Sequence, residues 1–174
     1  TVSGRTFAEA VRAQLMSVSP DISVTLDTSE EGGPVRLPGE VANTFLLAAT
    51  EVANNAKRHA GAAAEKKCHI RVASGEVSID FRDDGTGFDP EGIDPHRAGI
   101  RLSVKGRMEA LRGGDALVNS KPGKGTQVIL KWHGNTSPVE EEDVVDSSAH
   151  TTSLYDLMGM SIVFSWQFYG AIVG

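Results

Sequence analysis

The chain has 174 residues with 40% hydrophobic content, enough for one sizeable core, so a single domain of about 130–140 residues plus an extension is expected. Cys68 is the only cysteine, which excludes an intrachain disulfide, a Cys-built zinc site and a disulfide-stapled secreted scaffold, and points to a reducing compartment. The net charge of −6 is unevenly placed: residues 134–174 hold six acids and no Lys or Arg, leaving 17 acids against 17 bases in residues 1–133, and a neutral body without a dense basic block argues against a nucleic-acid partner while leaving room for a small phosphate ligand.

Phe7, Val11 and Leu15 recur at helical spacing, and Pro20 closes this first predicted helix. Ile22, Val24 and Leu26 alternate with polar residues as in a half-buried strand, followed by a loop from Glu30 to Pro34. Leu37-Pro38-Gly39-Glu40 opens a long helix, proline being tolerated in a first turn, and Val41, Phe45, Ala48, Val52 and Ala56 form its apolar stripe up to about Gly61. Cys68 to Ala73 and Glu76 to Arg82 read as a hairpin joined at Ser74-Gly75. From Asp83 to Gly99 the chain is rich in Gly, Pro and Asp and reads as a functional loop. Val104, Met108 and Leu111 predict a short helix ended by Gly113-Gly114. Leu117-Val118 and Val128-Leu130-Trp132 predict two last strands around the turn Pro122 to Gly125.

This order predicts an α/β (α+β) two-layer sandwich, a mostly antiparallel mixed sheet covered on one face by helices, within residues 1–133. Residues 134–153 are polar and acidic without periodicity and read as a disordered linker. Residues 154–174 read as an apolar tail, of which 157–174 carry no charge and reach the lower length limit for a membrane-spanning helix; a membrane segment and a buried or amphipathic tail helix remain open for this run. The chain lacks an initial Met and a signal peptide, and the apolar run stops at its last residue, so a fragment of a longer protein is expected.

Three clusters can carry chemistry. Glu51, Asn55 and His59 fall four residues apart on the long helix, stacking a carboxylate, an amide oxygen and an imidazole beside the buried stripe, where the amide suits Mg²⁺. Asp83-Asp84-Gly85-Thr86-Gly87 follows directly on a strand: Asp83 can accept from an exocyclic amine such as adenine offers, and Gly85 and Gly87 remove side chains where a flat ligand would lie. Gly99 to Met108 is read as a glycine-containing loop opening a helix, a phosphate site to which Arg101, Lys105 and Arg107 add charge, and the Thr126 hydroxyl before the last strand could reach a phosphate. Taken singly, each is also what a solvated helix face or an ordinary turn contains.

Their order resembles the ATP-binding catalytic domain of sensor histidine kinases, in the GHKL or Bergerat-fold superfamily that includes gyrase and MutL, over roughly Ile22 to Trp132. Glu51 to His59 is similar to its N box, Asp83-x-Gly85-x-Gly87 to its G1 box, Gly99 to Met108 to a modified G2 box, and Pro122 to Thr126 to the Pro-Gly-x-Gly-Thr run; the short interval between Gly87 and Gly99 resembles the brief ATP lid of kinases akin to the nitrate and nitrite sensors. The resemblance implies ATP and Mg²⁺ as cofactors. Asn55 would ligate the metal and Glu51 would polarise a water or order the metal shell. Asp83 would hold the adenine amine, while Arg58, His59 or Lys57 would lie near the phosphates. Gly99, Leu102 and the start of the following helix would cover the triphosphate, with Lys105 nearby and Thr126 beneath. It also implies a cytoplasmic domain, anchored if residues 157–174 span a membrane, whose partners are a dimerisation hairpin and a response regulator of a two-component phosphorelay.

Two departures stand beside it. Arg101 replaces the second glycine of the G2 pair, and either clamps a phosphate, the preferred reading, or blocks close approach. No segment before Thr25 resembles the phosphoacceptor hairpin, and none of His59, His69, His96, His133 or His150 has an acceptor's acidic helical context, so ATP binding without self-phosphorylation is expected. An anti-sigma-factor type Ser/Thr kinase and a non-catalytic ATP-sensing module are the alternatives.

Overall fold

The computed structural model describes residues 1–29, 34–89 and 95–134, with only the backbone described for residues 95–102. The chain divides into two compact units, Thr1–Glu140 and Glu141–Gly174, the second lying outside the described residues together with the predicted linker and the apolar run 157–174. No helix among the described residues is long and apolar enough to cross a membrane.

The first unit runs β1 (Val2–Ser3), α1 (Gly4–Val18), β2 (Ile22–Thr28), β3 (Arg36–Leu37), α2 (Gly39–His59), β4 (Lys66–Ala73), β5 (Glu76–Asp83), α3 (Pro95–Ala110), β6 (Gly114–Ser120) and β7 (Thr126–His133). Strands β2, β4, β5, β7 and β6 lie in that order in one sheet; β2 is parallel to β4 and every other pair is antiparallel. The three helices cover the face formed by Cys68, Ile70, Val72, Val77, Ile79, Phe81, Val128, Leu130 and Trp132, all buried. This is the predicted α/β sandwich.

Alternation explains the single covered face, since each strand turns every second residue to the helices and leaves the intervening polar ones, such as Lys67, His69 and Arg71, in solvent. The helical stripe of α2 does the same at a period of 3.6, burying Val41, Phe45, Ala48, Val52 and Ala56. Phe45 meets Phe7 of α1 edge to face at a centroid distance of 6.1 Å, an arrangement that adds about 0.5–1.5 kcal/mol beyond area burial.

Three elements depart from the sequence reading. The pair β1–β3 was not expected, because two-residue strands have no periodicity to detect. The predicted loop stops earlier than Gly99, since α3 begins at Pro95: proline is well suited to a first helical position, and only Gly99 weakens the turn that follows. The strands of the predicted hairpin extend to Lys66 and Asp83.

Lys66 occupies a buried register position, where its side chain is 4% exposed and its Nζ lies 2.6 Å from Asp21 Oδ2 and 3.2 Å from the Ala64 carbonyl. The Lys66 ammonium, aided by the Ser19 hydroxyl, holds the Asp21 carboxyl down at about 2, below its ordinary 3.8. Asp21→Asn is expected to cost about 1–2 kcal/mol, the lower part of the range for a buried donor that loses one partner, because the Ala64 carbonyl remains and Asp21 is itself half exposed. A depressed folded-state pKa supplies stability above the ordinary value and loses it as the pH falls through the folded one. Urea unfolding should therefore show a constant wild-type advantage above pH 3.8 that shrinks towards about pH 2.

Candidate functional site

Asp83 ends β5 on the helix-facing side of the sheet, half buried. Its Oδ1 accepts the Gly85 N–H at 3.0 Å. Burial pushes its carboxyl above the ordinary carboxylate range, opposed by the backbone N–H groups of Gly85 and Thr126. Thr126 is also the β7 residue paired with Asp83 in the ladder, so the sheet register sets these two sequence-predicted residues side by side.

The segment after Asp83 is fastened to the end of α2. Thr86 donates through its N–H to the Ala60 carbonyl at 3.1 Å and through Oγ1 to the His59 carbonyl at 2.8 Å. A Cβ on Gly85 would lie 2.2 Å from the Ala60 carbonyl oxygen, so this glycine is required by the approach of the two backbones themselves. Gly87, at φ +56°, is likewise pressed on the Lys121 carbonyl, where a Cβ would lie 2.1 Å away. Both glycines thus serve protein packing in addition to any opening they leave for a ligand. The glycine segment and the C-terminal end of the polar-striped helix are thus in direct contact.

Glu51, Asn54 and Asn55 are partly buried on α2, whereas Lys57, Arg58 and His59 are exposed. Lys57 Nζ donates to the Val18 carbonyl at 2.7 Å and so caps α1. The Glu51 carboxylate accepts from the Ser103 hydroxyl of α3. Gly99, Arg101 and Leu102 fall inside α3, beyond its first turn, and the side chains of Arg101 and Leu102 lie outside the described residues. The expected glycine loop is helix here, so the backbone N–H groups from Gly99 onward serve the helical ladder instead of being offered as loop donors. Lys105 is exposed and pairs with Glu109 along the helix at 3.5 Å.

A cleft of about 440 Å³ opens beside Asp83, lined among others by Arg82, Ser120, Lys121, Lys124, Gly125 and Thr126, and no α2 residue lines it. Sequence reasoning missed two residues here. Ser120 accepts from the Phe88 N–H at 2.8 Å, donates to the Gly125 carbonyl at 2.9 Å and meets Thr126 Oγ1 at 3.1 Å, joining the glycine segment to the turn before β7. Its signal was a serine in register with buried Ala116. Ser103 carried no sequence signal, since its partner is 52 positions away.

Among the described residues no three carboxylate, imidazole or thiol groups converge as a metal cage. One amide oxygen completed by water and substrate phosphates is a donor set that Mg²⁺ takes, and half-buried Asn55 fits that role.

The fold is shared with solved histidine kinases. The histidine kinase domain of the Erythrobacter litoralis blue-light activated histidine kinase superposes with TM-score 0.51 at 24% identity, over 75% of this chain and 60% of that one. A second structure of that kinase gives 0.53 at 26%, over 75% and 41%. The mycobacterial sensor histidine kinase MprB gives 0.52 at 15%, over 78% and 99%. The chain thus spans 60% or less of the two Erythrobacter proteins. No curated protein is a significant match by sequence. The family of histidine kinase-, DNA gyrase B- and HSP90-like ATPases matches residues 40–135, from the start of α2 to just past the end of β7, and that stretch contains Glu51, Asn55 and the whole Asp83-to-Gly87 segment. The chain belongs to this ATPase family.

Proposed function

We propose that the chain is the ATP-binding catalytic domain of a two-component sensor histidine kinase, which transfers the γ-phosphoryl group of ATP to a histidine on a dimerisation hairpin outside this chain, and through it to a response regulator. The observation that supports the reading is the junction of Asp83-x-Gly85-x-Gly87 with the end of α2, which joins the strand end bearing the Asp83 carboxylate to the helix that bears Glu51 and Asn55.

In this reading Asp83 holds adenine, and Gly85 and Gly87 form the backbone beneath it. Asn55 holds Mg²⁺, which when bound neutralises phosphate charge. Arg58 and His59 flank the phosphates, and α3, with Gly99, Arg101, Leu102 and Lys105, covers them over Thr126. An imidazole nitrogen lone pair forms the new bond to the γ-phosphorus while the bond to the bridging oxygen breaks and ADP leaves with the electron pair. The proton released by the phosphorylated imidazole passes to a base, a role for which the Glu51 carboxylate is suited. Positioning and charge neutralisation suffice for such a transfer.

Asn55→Ala tests the metal assignment. Calorimetric titrations with ATP in Mg²⁺ and in EDTA should show a clear gain from Mg²⁺ in the wild type and almost none in the variant, with equal metal-free affinity. An undiminished Mg²⁺ gain in Asn55→Ala would remove this residue from the metal shell. A wild type that binds no ATP would defeat the reading as a whole.

A further inference from the structure

Ser103 follows directly on Leu102 in α3, and its hydroxyl donates to Oε1 of Glu51 on α2. Both residues are partly buried at the seam of the two helices. The neighbouring residues Val104 and Met108 are completely buried, so α3 is seated on the core by its apolar side and does not depend on the hydroxyl for its position. The hydroxyl acts on the acid instead. A glutamate on a helix surface samples several rotamers, and a donor fixed on the next helix selects one of them. An ionised carboxylate has about four lone-pair sites over its two oxygens, so one bond from Ser103 leaves capacity for a water or a proton.

We infer that Ser103 is a positioning residue: its hydroxyl fixes the Glu51 carboxylate, and because it sits on the helix that carries Gly99, Arg101 and Leu102, it ties the orientation of the acid to the seating of α3. The inference rests on the proposed function, in which that acid serves phosphoryl transfer. Reacting groups must be held in register for such a step, and a loosened acid lowers the rate without weakening the hold on the nucleotide.

The test compares wild type, Ser103→Ala, Ser103→Thr, Glu51→Gln and the double variant Ser103→Ala/Glu51→Gln. With a histidine-bearing dimerisation hairpin supplied in trans as the phosphoryl acceptor, Ser103→Ala is expected to bind Mg·ATP within about twofold of wild type and to release ADP roughly tenfold more slowly at saturating Mg·ATP. Ser103→Thr keeps the hydroxyl and should recover most of the rate. In the Glu51→Gln background the loss of the hydroxyl should slow turnover no further. An unchanged rate in Ser103→Ala, a threonine variant as slow as alanine, or losses that multiply independently would overturn the inference. Urea unfolding of wild type, Ser103→Ala, Glu51→Ala and Ser103→Ala/Glu51→Ala without nucleotide provides a second readout, alanine at position 51 leaving no acceptor for the hydroxyl: non-additive midpoints support the Ser103–Glu51 contact, and strictly additive ones overturn it. A wild type that fails to bind Mg·ATP defeats the functional reading, and with it the positioning role of Ser103 in transfer, while coupled unfolding midpoints would still identify the contact; the two failures are therefore distinguishable.

Discussion

Asp83→Asn is expected to weaken Mg·ATP binding by roughly 10- to 100-fold, the equivalent of a hydrogen bond to a charged group. The carboxylate is acceptor-only, and the Gly85 N–H already uses Oδ1 at 3.0 Å. An asparagine that keeps its oxygen on Gly85 must present its NH₂ group to the adenine amine, donor against donor; turned the other way, it faces the Gly85 N–H with the same conflict. The side chain is almost isosteric, so the loss should appear in calorimetric affinity with little change in the unfolding midpoint. Burial raises the carboxyl above its ordinary range, so it gains its proton at a higher pH than an exposed aspartate. The ratio of wild-type to variant affinity should accordingly narrow as the pH falls through that raised range. An equal affinity of the two proteins at neutral pH would place adenine elsewhere.

Gly125→Ala is expected to be the most destabilising of the simple substitutions around the site. Gly125 has φ +75°, and a Cβ there would lie 2.0 Å from the Asp83 carbonyl oxygen and 2.8 Å from the Asp84 Cα, both backbone atoms of the segment that carries the proposed adenine contact. Forced backbone displacement costs about 1–3 kcal/mol and the left-handed conformation about 1–2 kcal/mol more, a fall in melting temperature of roughly 10 °C. Nucleotide affinity should fall with it, because the displaced atoms belong to Asp83 and Asp84. Gly106→Ala is the matched control. That glycine lies within α3 with nothing within 4 Å of the place a methyl group would take, so alanine should stabilise by about 0.8–1 kcal/mol through helix propensity. Thermal unfolding of both variants checks the pair; a Gly125→Ala protein as stable as wild type would contradict the tight approach of these backbones.

The apolar stripe of α2 and the alternation in β4, β5 and β7 were legible because burial on one face imposes a period on the chain, and a period can be read without coordinates. The parallel pairing of β2 with β4 was not, since a strand has the same alternation whichever way its neighbour runs. The start of α3 at Pro95 was obscured by the Gly, Pro and Asp content that precedes it, which looks the same in a loop and at a helix start.

The candidate site divides along the same line. By itself the sequence determined the chemical types and their spacing: a carboxylate at the end of a strand, two glycines beyond it, and Glu51 and Asn55 one turn apart on a long helix. Those are properties of short segments, in which period and turn chemistry act locally. Only the tertiary structure decided that Gly85 and Gly87 are needed where backbone meets backbone, that Ser120 joins the glycine segment to the turn before β7, and that Ser103 meets Glu51. Apart from the local bond of Ser120 to the Gly125 carbonyl, each of these is a contact between residues far apart in the chain, whose geometry is set by tertiary packing.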